Sequence, residues 1–340
     1  MKKLGISMKS TNITKNDLKQ IKLFIGPMSK NIVDAAIEYQ SDLTTQTIGF
    51  IPSRRQIEYN GGYVNKWTTK EFSEYVNGRL IVERDHGGQL QGKDSHDDHL
   101  ISFHHDVMYM DLIHIDPWKK YQNIMAAADA TIRLINWCNS LNDNCYYEIG
   151  TEEAIRKLDI DELHQFVKLV KSQLSNSTFN KIAYLVIQSG TALSEDKNIG
   201  FFNQDRLSAM LELCSQYKLL SKEHNGDFIA ASEIKARYSA GLNAINVAPE
   251  FGQLETNCHI KHFKETGRFD HLNKMFDICL KSKKWMKWVP QGFDPYVNKD
   301  VLTKITGHYI FSDDEFINIK PDNDDEIKTI IKYKIGEIVG

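Results

Sequence analysis

The sequence is poor in chain-breaking residues: 340 residues hold only 7 prolines. No Pro-, Ser- or Gly-rich stretch marks a linker, so composition draws no domain boundary. Its five cysteines, Cys138, Cys145, Cys214, Cys258 and Cys279, are an odd number with no Cys-x-x-Cys pair. That excludes a disulfide scaffold and a structural zinc ribbon, and it fits a reducing, cytoplasmic setting. No apolar run approaches the ~18 residues of a membrane span. The first residues, MKKLGIS, carry two lysines with no apolar core behind them, unlike a secretory signal. A net charge of −3, from 42 basic and 45 acidic residues, argues against a general nucleic-acid partner. No G-x-G-x-x-G follows the first apolar run, which argues against a dinucleotide-binding sheet.

What the chain does have is alternation. Short β-branched runs end near residues 26, 52, 85, 116, 150, 188, 223 and 247, and longer segments of helical spacing follow them. The mean repeat, about 32 residues, is close to the ~30 of a βα unit. Eight such units predict an α/β fold, a (β/α)₈ TIM barrel over 1–254, with a mostly helical C-terminal extension over 255–340 packed on it. Thr68 with Glu71 has the spacing of a capping box, and Asp159 or Asp161 is placed to cap a helix starting near 160. Pro27, Pro52, Pro117 and Pro249 fall at strand ends, where they interrupt no ladder. The Lys/Trp cluster at 281–288 reads as a solvated helix face with buried tryptophans, with an interface as the alternative.

In a barrel, the C-terminal strand ends carry the site. Those ends are rich in polar groups. Strand 2 ends in Ser53, Arg54, Arg55 and Gln56, and strand 3 in Asp85 and His86. Strand 4 has His114 and Asp116, strand 5 has Glu148 and Glu152, and strand 6 ends in Gln188. Strand 7 ends in His224, Asn225, Gly226 and Asp227, and strand 8 in Asn246. Two histidines on separate strands with a carboxylate make a divalent-metal shell with open positions, so His86, Glu152 and His224 are the candidate ligands. Asp85, Asp116 and Glu152 are the candidate proton-transfer groups. Arg54 and Arg55 can hold an anion, and neighbours on an extended segment alternate, so at most one should face the mouth. The ligand-rich stretch Asp94 to His99 reads as a loop capping the next helix, with a second metal site as the alternative.

The blocks TIGFIPSRRQIEYNGGYVNKWTTKEFSEYV (47–76), RLIVERDHGG (79–88), DLIHIDP (111–117), YYEIGTEE (146–153), YLVIQSG (184–190) and KEHNGDF (222–228) resemble, in order and spacing, the tagatose-bisphosphate aldolase accessory-subunit family. That non-catalytic family is related to the class II, metal-dependent ketose-bisphosphate aldolases. Asp85-His86 resembles their pair of a proton-transfer Asp beside a zinc His. The stretch from His224 to Asn246 resembles theirs from a second zinc His to a ligand-contacting Asn. The resemblance implies Zn²⁺, with Mn²⁺ or Mg²⁺ as alternatives. It implies substrate contacts at Ser53, Arg54, Arg55, Gln56, Gln188, Asn225, Gly226, Asp227 and Asn246. Three departures stand out. Asn225-Gly226-Asp227 replaces Gly-Ala-Ser, Pro249 replaces a Thr, and 190–193 holds no third zinc His, leaving Glu152 or Gln188 to complete the shell.

The expected function is a class II aldolase-like lyase that cleaves or forms a C–C bond in a phosphorylated ketose or related sugar through a metal-stabilised enediolate. The alternatives are a sugar(-phosphate) epimerase or isomerase on the same metal site, or a non-catalytic subunit of a partner aldolase. The expected partners are a small sugar phosphate and further copies of the chain, with no nucleic acid and no membrane.

Overall fold

The computed structural model describes residues 13–93 and 99–340. Eight parallel strands close into a barrel: β1 (Leu23–Ile25), β2 (Ile48–Phe50), β3 (Ile81–Gly87), β4 (Leu112–Ile115), β5 (Tyr146–Ile149), β6 (Ile182–Ile187), β7 (Leu220–Glu223) and β8 (Ala244–Val247). They pair in chain order, and β8 closes on β1 with Leu23 opposite Ile245. Each strand ends within a few residues of its expected position. A helix follows each strand: α1 (Lys30–Ser41), α2 (Thr69–Val76), α3 (His99–Tyr109), α4 (Ile124–Leu141), α5 (Ile160–Gln173), α6 (Gln204–Tyr217), α7 (Ala231–Ala240) and α8 (Pro249–Glu265). Both expected caps form. Thr68 and Glu71 make a reciprocal capping box, and Asp159 makes one with Glu162, each satisfying two otherwise free backbone N–H groups. Pro249 is the first residue of α8, where its missing N–H costs nothing. Asp94 to Asp98 of the ligand-rich stretch lie outside the described residues, and His99 opens α3.

The barrel interior is layered, because residues two apart on a strand share a face. Phe24, Ile81, Leu112, Tyr184 and Ala244 form an apolar floor with Leu18 of the preceding helix Lys15–Gln20. Tyr184 donates its hydroxyl to the Leu18 carbonyl at 2.6 Å. Two residues further along β3 and β7 stand Glu83 and Lys222, ion-paired at 2.5 Å, and Lys222 also pairs with Glu148 of β5. All three are fully buried, and the Lys222 ammonium lies 4.1 Å from the centre of the Phe24 ring. Two residues further again, the same strands deliver Asp85 and His224 to the mouth.

Beyond the eighth strand the chain is helical, as expected: α8 runs across residue 254, and α9 (Phe269–Ser282), α10 (Lys299–Thr306) and α11 (Asp324–Val339) follow. Ile327, Ile331, Ile335 and Ile338 of α11 recur at helical spacing and bury in one cluster with Ile32, Val33 and Ile245 of the barrel. Phe263, Met275, Phe276, Leu302 and Phe316 make a second cluster among the terminal helices. A short hairpin, Leu193–Ser194 against Lys197–Asn198, follows β6. Nothing in the sequence periodicity marks it, since two residues per strand are too few to show alternation. No helix is long and apolar enough to cross a membrane among the described residues.

Candidate active site

β3 extends to Gly87, and its end places two polar side chains over the barrel. Asp85 backbone N–H donates to the Pro52 carbonyl at 3.0 Å, tying the end of β3 to that of β2. His86 then takes a left-handed backbone, φ 45°. This turn brings consecutive residues of one strand to the same mouth, where ordinary alternation would separate them.

The imidazoles of His86, His114 and His224 form a triangle with ring centres 5.0–5.1 Å apart. One ligand-type atom from each, with one from Asp85, lie within 4.8 Å of one another. Hydrogen bonds fix which ring nitrogen is free. His86 donates Nδ1–H to Asp116 Oδ2 at 2.6 Å, and His224 donates Nε2–H to Glu148 Oε1 at 2.7 Å. The remaining nitrogens, His86 Nε2 and His224 Nδ1, face the same carboxylate oxygen, Asp85 Oδ1, at 3.6 and 3.8 Å. Glu152 Oε2 lies 3.5 Å from His86 Nε2 and accepts a hydrogen bond from Asn225 Nδ2 at 2.7 Å. His114 is committed: its Nε2–H donates to the Gly150 carbonyl at 3.1 Å, and its Nδ1 accepts the His86 backbone N–H at 3.3 Å.

This donor set fits a divalent cation. Two imidazole lone pairs and two carboxylates converge, and each free nitrogen is aimed by a carboxylate behind its ring, the arrangement that holds metal-binding histidines. Asp85 Oδ1 is buried with no hydrogen-bond partner, an uncompensated acceptor whose charge a cation held by the neighbouring groups would offset. The carboxylates make the site attractive to positive charge, whether the His86 proton or a metal ion that displaces it. Burial opposes charge on His86, yet Asp85, Glu152 and Asp116 outweigh it and hold the imidazolium well above the ordinary histidine value. Burial and the His86 charge push His224 down to about 4. Burial resists charge on Glu152, but His86 pulls its carboxyl down to about 2. Burial raises Asp85.

The metal-type cluster opens into a cavity of about 320 Å³. Of the residues expected to touch substrate, Ser53, Arg54, Arg55, Gln56, Asn225, Asp227 and Asn246 line it. The two arginines divide their work, but not by strand alternation: both sit in the turn after β2 and both line the cavity, and their partners separate them. Arg54 is buried, paired with Glu58 at 2.7 Å and donating to the Gly88 carbonyl at 2.8 Å, while Arg55 is exposed at the mouth. Gln188 and Gly226 are not among the lining residues. Gln188 gives its amide to Leu158 N–H and the Thr151 and Arg156 carbonyls, holding the loop after β5. Gly226 packs where a Cβ would meet Ile245 Cδ1 at 2.3 Å. Asn246 presents an amide with neither atom hydrogen-bonded, within the cavity lining.

Sequence reasoning missed part of the wall. Lys119 after β4, and Lys287, Trp288 and Tyr309 from the extension, also line the cavity. Lys281, Lys283 and Lys284 of the 281–288 cluster are solvated as expected, but its two tryptophans are only half-buried, and Lys287 and Trp288 line the cavity. Lys284–Lys287 is a 3-10 turn, and the Lys287 ammonium sits 4.5 Å from the Trp288 ring centre and 5.3 Å from that of Tyr309. Lys287 keeps exposed surface at the rim, and desolvation by its neighbours, and then Arg55, lower it to about 8. Burial, Arg55 and Lys287 lower Lys119 as well. Tyr63, from the turn after β2, meets Tyr309 with ring centres 4.9 Å apart. The one signal in the sequence was the density of Lys and Trp, and it did not say where the extension would dock.

No protein-family model matches the sequence, and no curated protein matches it. Solved structures do share its fold. A probable tagatose 6 phosphate kinase from Sinorhizobium meliloti 1021 aligns with TM-score 0.72 at 12% identity, over 94% of this chain and 99% of that one. The fructuronate-tagaturonate epimerase UxaE from Cohnella laeviribosi aligns with TM-score 0.63 at 9% identity, over 94% of this chain and 80% of that one. The fructose-bisphosphate aldolase of Campylobacter jejuni aligns with TM-score 0.54 at 10% identity, over 95% and 91%. At these identities the likeness is one of fold.

Proposed function

We propose that the protein is a metal-dependent, class II aldolase-like enzyme that opens or forms a carbon–carbon bond in a phosphorylated ketose or related sugar. One observation carries this reading: His86 Nε2 and His224 Nδ1 both face Asp85 Oδ1, with Asp116 and Glu148 holding the opposite ring nitrogens. His86, His224 and Glu152 would hold the metal, Zn²⁺ by its donor set with Mn²⁺ or Mg²⁺ as alternatives. When bound, it supplies Lewis-acid polarisation of the substrate carbonyl.

The residues supply the rest. Asp85, raised by burial toward a useful proton affinity, takes the hydroxyl proton as the adjacent C–C bond opens to an aldehyde. It returns a proton to the carbon of the ketone fragment. Asp116 keeps His86 oriented, and Asn225 keeps Glu152 oriented. The Asn246 amide, otherwise unpaired, would hold a substrate hydroxyl. The same fold carries many chemistries, so reaction class must be tested directly. The test is incubation of the zinc-loaded protein with ketose monophosphates in deuterated water. Aldehyde and ketone fragments support the proposal. Solvent deuterium at a substrate carbon without fragments indicates epimerase or isomerase chemistry instead. Protein purified without chelator that holds no stoichiometric metal points to a non-catalytic subunit acting on a partner aldolase.

A further inference from the structure

Barrels that bind sugar phosphates commonly take the phosphate on backbone N–H groups after strands 7 and 8, at a helix N-terminus. In this chain those donors are already used. Asp227 Oδ1 accepts the Ala248 N–H and the Glu250 N–H, both at 2.8 Å, at the start of α8. Glu250 returns the bond, its Oε2 accepting the Phe228 N–H at 2.7 Å. The loop after β7 and the head of α8 are thus laced by two carboxylates. Asn198 of the hairpin pins that loop from above, donating to the Asn225 carbonyl at 2.9 Å and the Asp227 carbonyl at 3.0 Å. Asp227 is buried, and Oδ1 serves as acceptor to both N–H groups whether or not the carboxyl is ionised. A substrate phosphate there would have to displace a fixed carboxyl group and approach a second one.

Other strand ends around the mouth have the complementary pattern. Arg55 follows β2, Lys119 follows β4, and Lys287 reaches in from the extension. In the strand order, β4 lies across the barrel from β8. None of the three cations makes an ion pair among the described residues; Arg55 donates its Nε–H to the Gly92 carbonyl at 3.2 Å. The cavity's carboxylates, Asp85, Glu152 and Asp227, form no ion pair with these three cations; besides burial, repulsion from Arg55 and Lys287 lowers the proton affinity of Lys119, and repulsion from Arg55 lowers that of Lys287. A bound anion removes that repulsion.

We propose that Arg55, Lys119 and Lys287 form the subsite for the single terminal anion of the substrate, carboxylate or phosphate, and that Asp227 excludes a second phosphate at the β7–β8 end. The substrate is then a sugar with one charged end, lying from the metal cluster toward the extension, and not a bisphosphate. The C-terminal segment takes part in recognition, because Lys287, Trp288 and Tyr309 close that end of the cavity. This rests on the metal-site reading for the position of the reacting carbons but not for the binding of the anion.

The test is calorimetric binding to the full-length, zinc-loaded protein. The probes are D-tagatose 6-phosphate, D-tagaturonate and D-tagatose 1,6-bisphosphate, and zinc content is measured on each sample. The wild-type protein should bind at least one of the two probes with a single anionic group more tightly than the bisphosphate, and the tighter of the two assigns phosphate or carboxylate. Lys287→Ala and Lys287→Gln should each weaken that binding about tenfold, the scale of one charge-assisted hydrogen bond, with zinc content unchanged. Arg55→Ala should do the same. Asp227→Ser should narrow the gap between the bisphosphate and the probe with one anionic group. Wild-type preference for the bisphosphate, failure to bind either probe with a single anionic group, or unchanged affinity in all Lys287 and Arg55 variants would each overturn the proposal. Cleavage of a monophosphate with affinity indifferent to Lys287 sinks this inference alone. Lys287-dependent binding without cleavage sinks the aldolase reading alone.

Discussion

Two groups of charges lie along one barrel axis and are treated in opposite ways. In the interior, Lys222 sits between Glu83 and Glu148, fully buried, and every charge has an opposite within contact. At the mouth, Arg55, Lys119 and Lys287 share one cavity with no ion pair among the described residues. A buried charge must be paired by the protein itself, because water cannot reach it. An open charge can remain unpaired until a ligand arrives. The interior layer is thus a support, and it reaches the site through Glu148, which holds both Lys222 and His224. The mouth layer is available for binding.

The sharpest way to probe this division is at the point where the two layers meet. Asp85→Asn should retain the fold and the metal and lose turnover by ~10²–10⁴-fold, the range for a general acid–base group. Elemental analysis beside the turnover number checks it, and full activity would remove Asp85 from the chemistry. Next comes the support itself. Lys222→Met leaves two buried carboxylates without their cation and should cost roughly 3–5 kcal/mol in urea unfolding. Adding Glu83→Gln should recover part of that loss, because one of the two stranded charges is gone.

A third measurement concerns Asp227, whose carboxyl burial pushes up to about 7 from 3.8. Between those values the folded protein keeps a proton that the unfolded chain has released. Stability should therefore be fully present below about 3.8 and decline as pH rises through about 7. Asp227→Asn should flatten that part of the stability–pH curve, and an unchanged slope would mean that the carboxyl titrates elsewhere. The smallest effect closes the comparison. Lys287→Ala should shift unfolding by no more than ~0.5 kcal/mol, as expected of a cation outside any buried network. A loss on the scale of Lys222→Met would show that Lys287 belongs to the support.

The site was partly legible before the fold was known. Asp85, His86, Glu152 and His224 were readable because strand ends can be located by apolar runs, and in a barrel those ends converge. The metal-facing atoms were not readable. Which nitrogen of His86 is free depends on Asp116, 30 positions away, and which nitrogen of His224 is free depends on Glu148, 76 positions away. Arg54 and Arg55 read alike in the sequence. Packing of Arg54 against Glu58 and Ser102 separates them. Gln188 reads as a mouth residue, because it ends β6, yet its amide is used up by the Thr151 and Arg156 carbonyls.

The sequence by itself determined the eight βα units, their caps and the end of the barrel at which polar groups gather. Each of these follows from local periodicity, or from a side chain bonding to backbone three residues away. Only the tertiary structure decided that Lys287, Trp288 and Tyr309 come to line the mouth, that Lys287 and Arg55 share one cavity, and that Asp227 fills the head of α8. Those contacts join segments far apart in the chain. Their stability comes from packing and charge in three dimensions, and no spacing in the sequence carries that information.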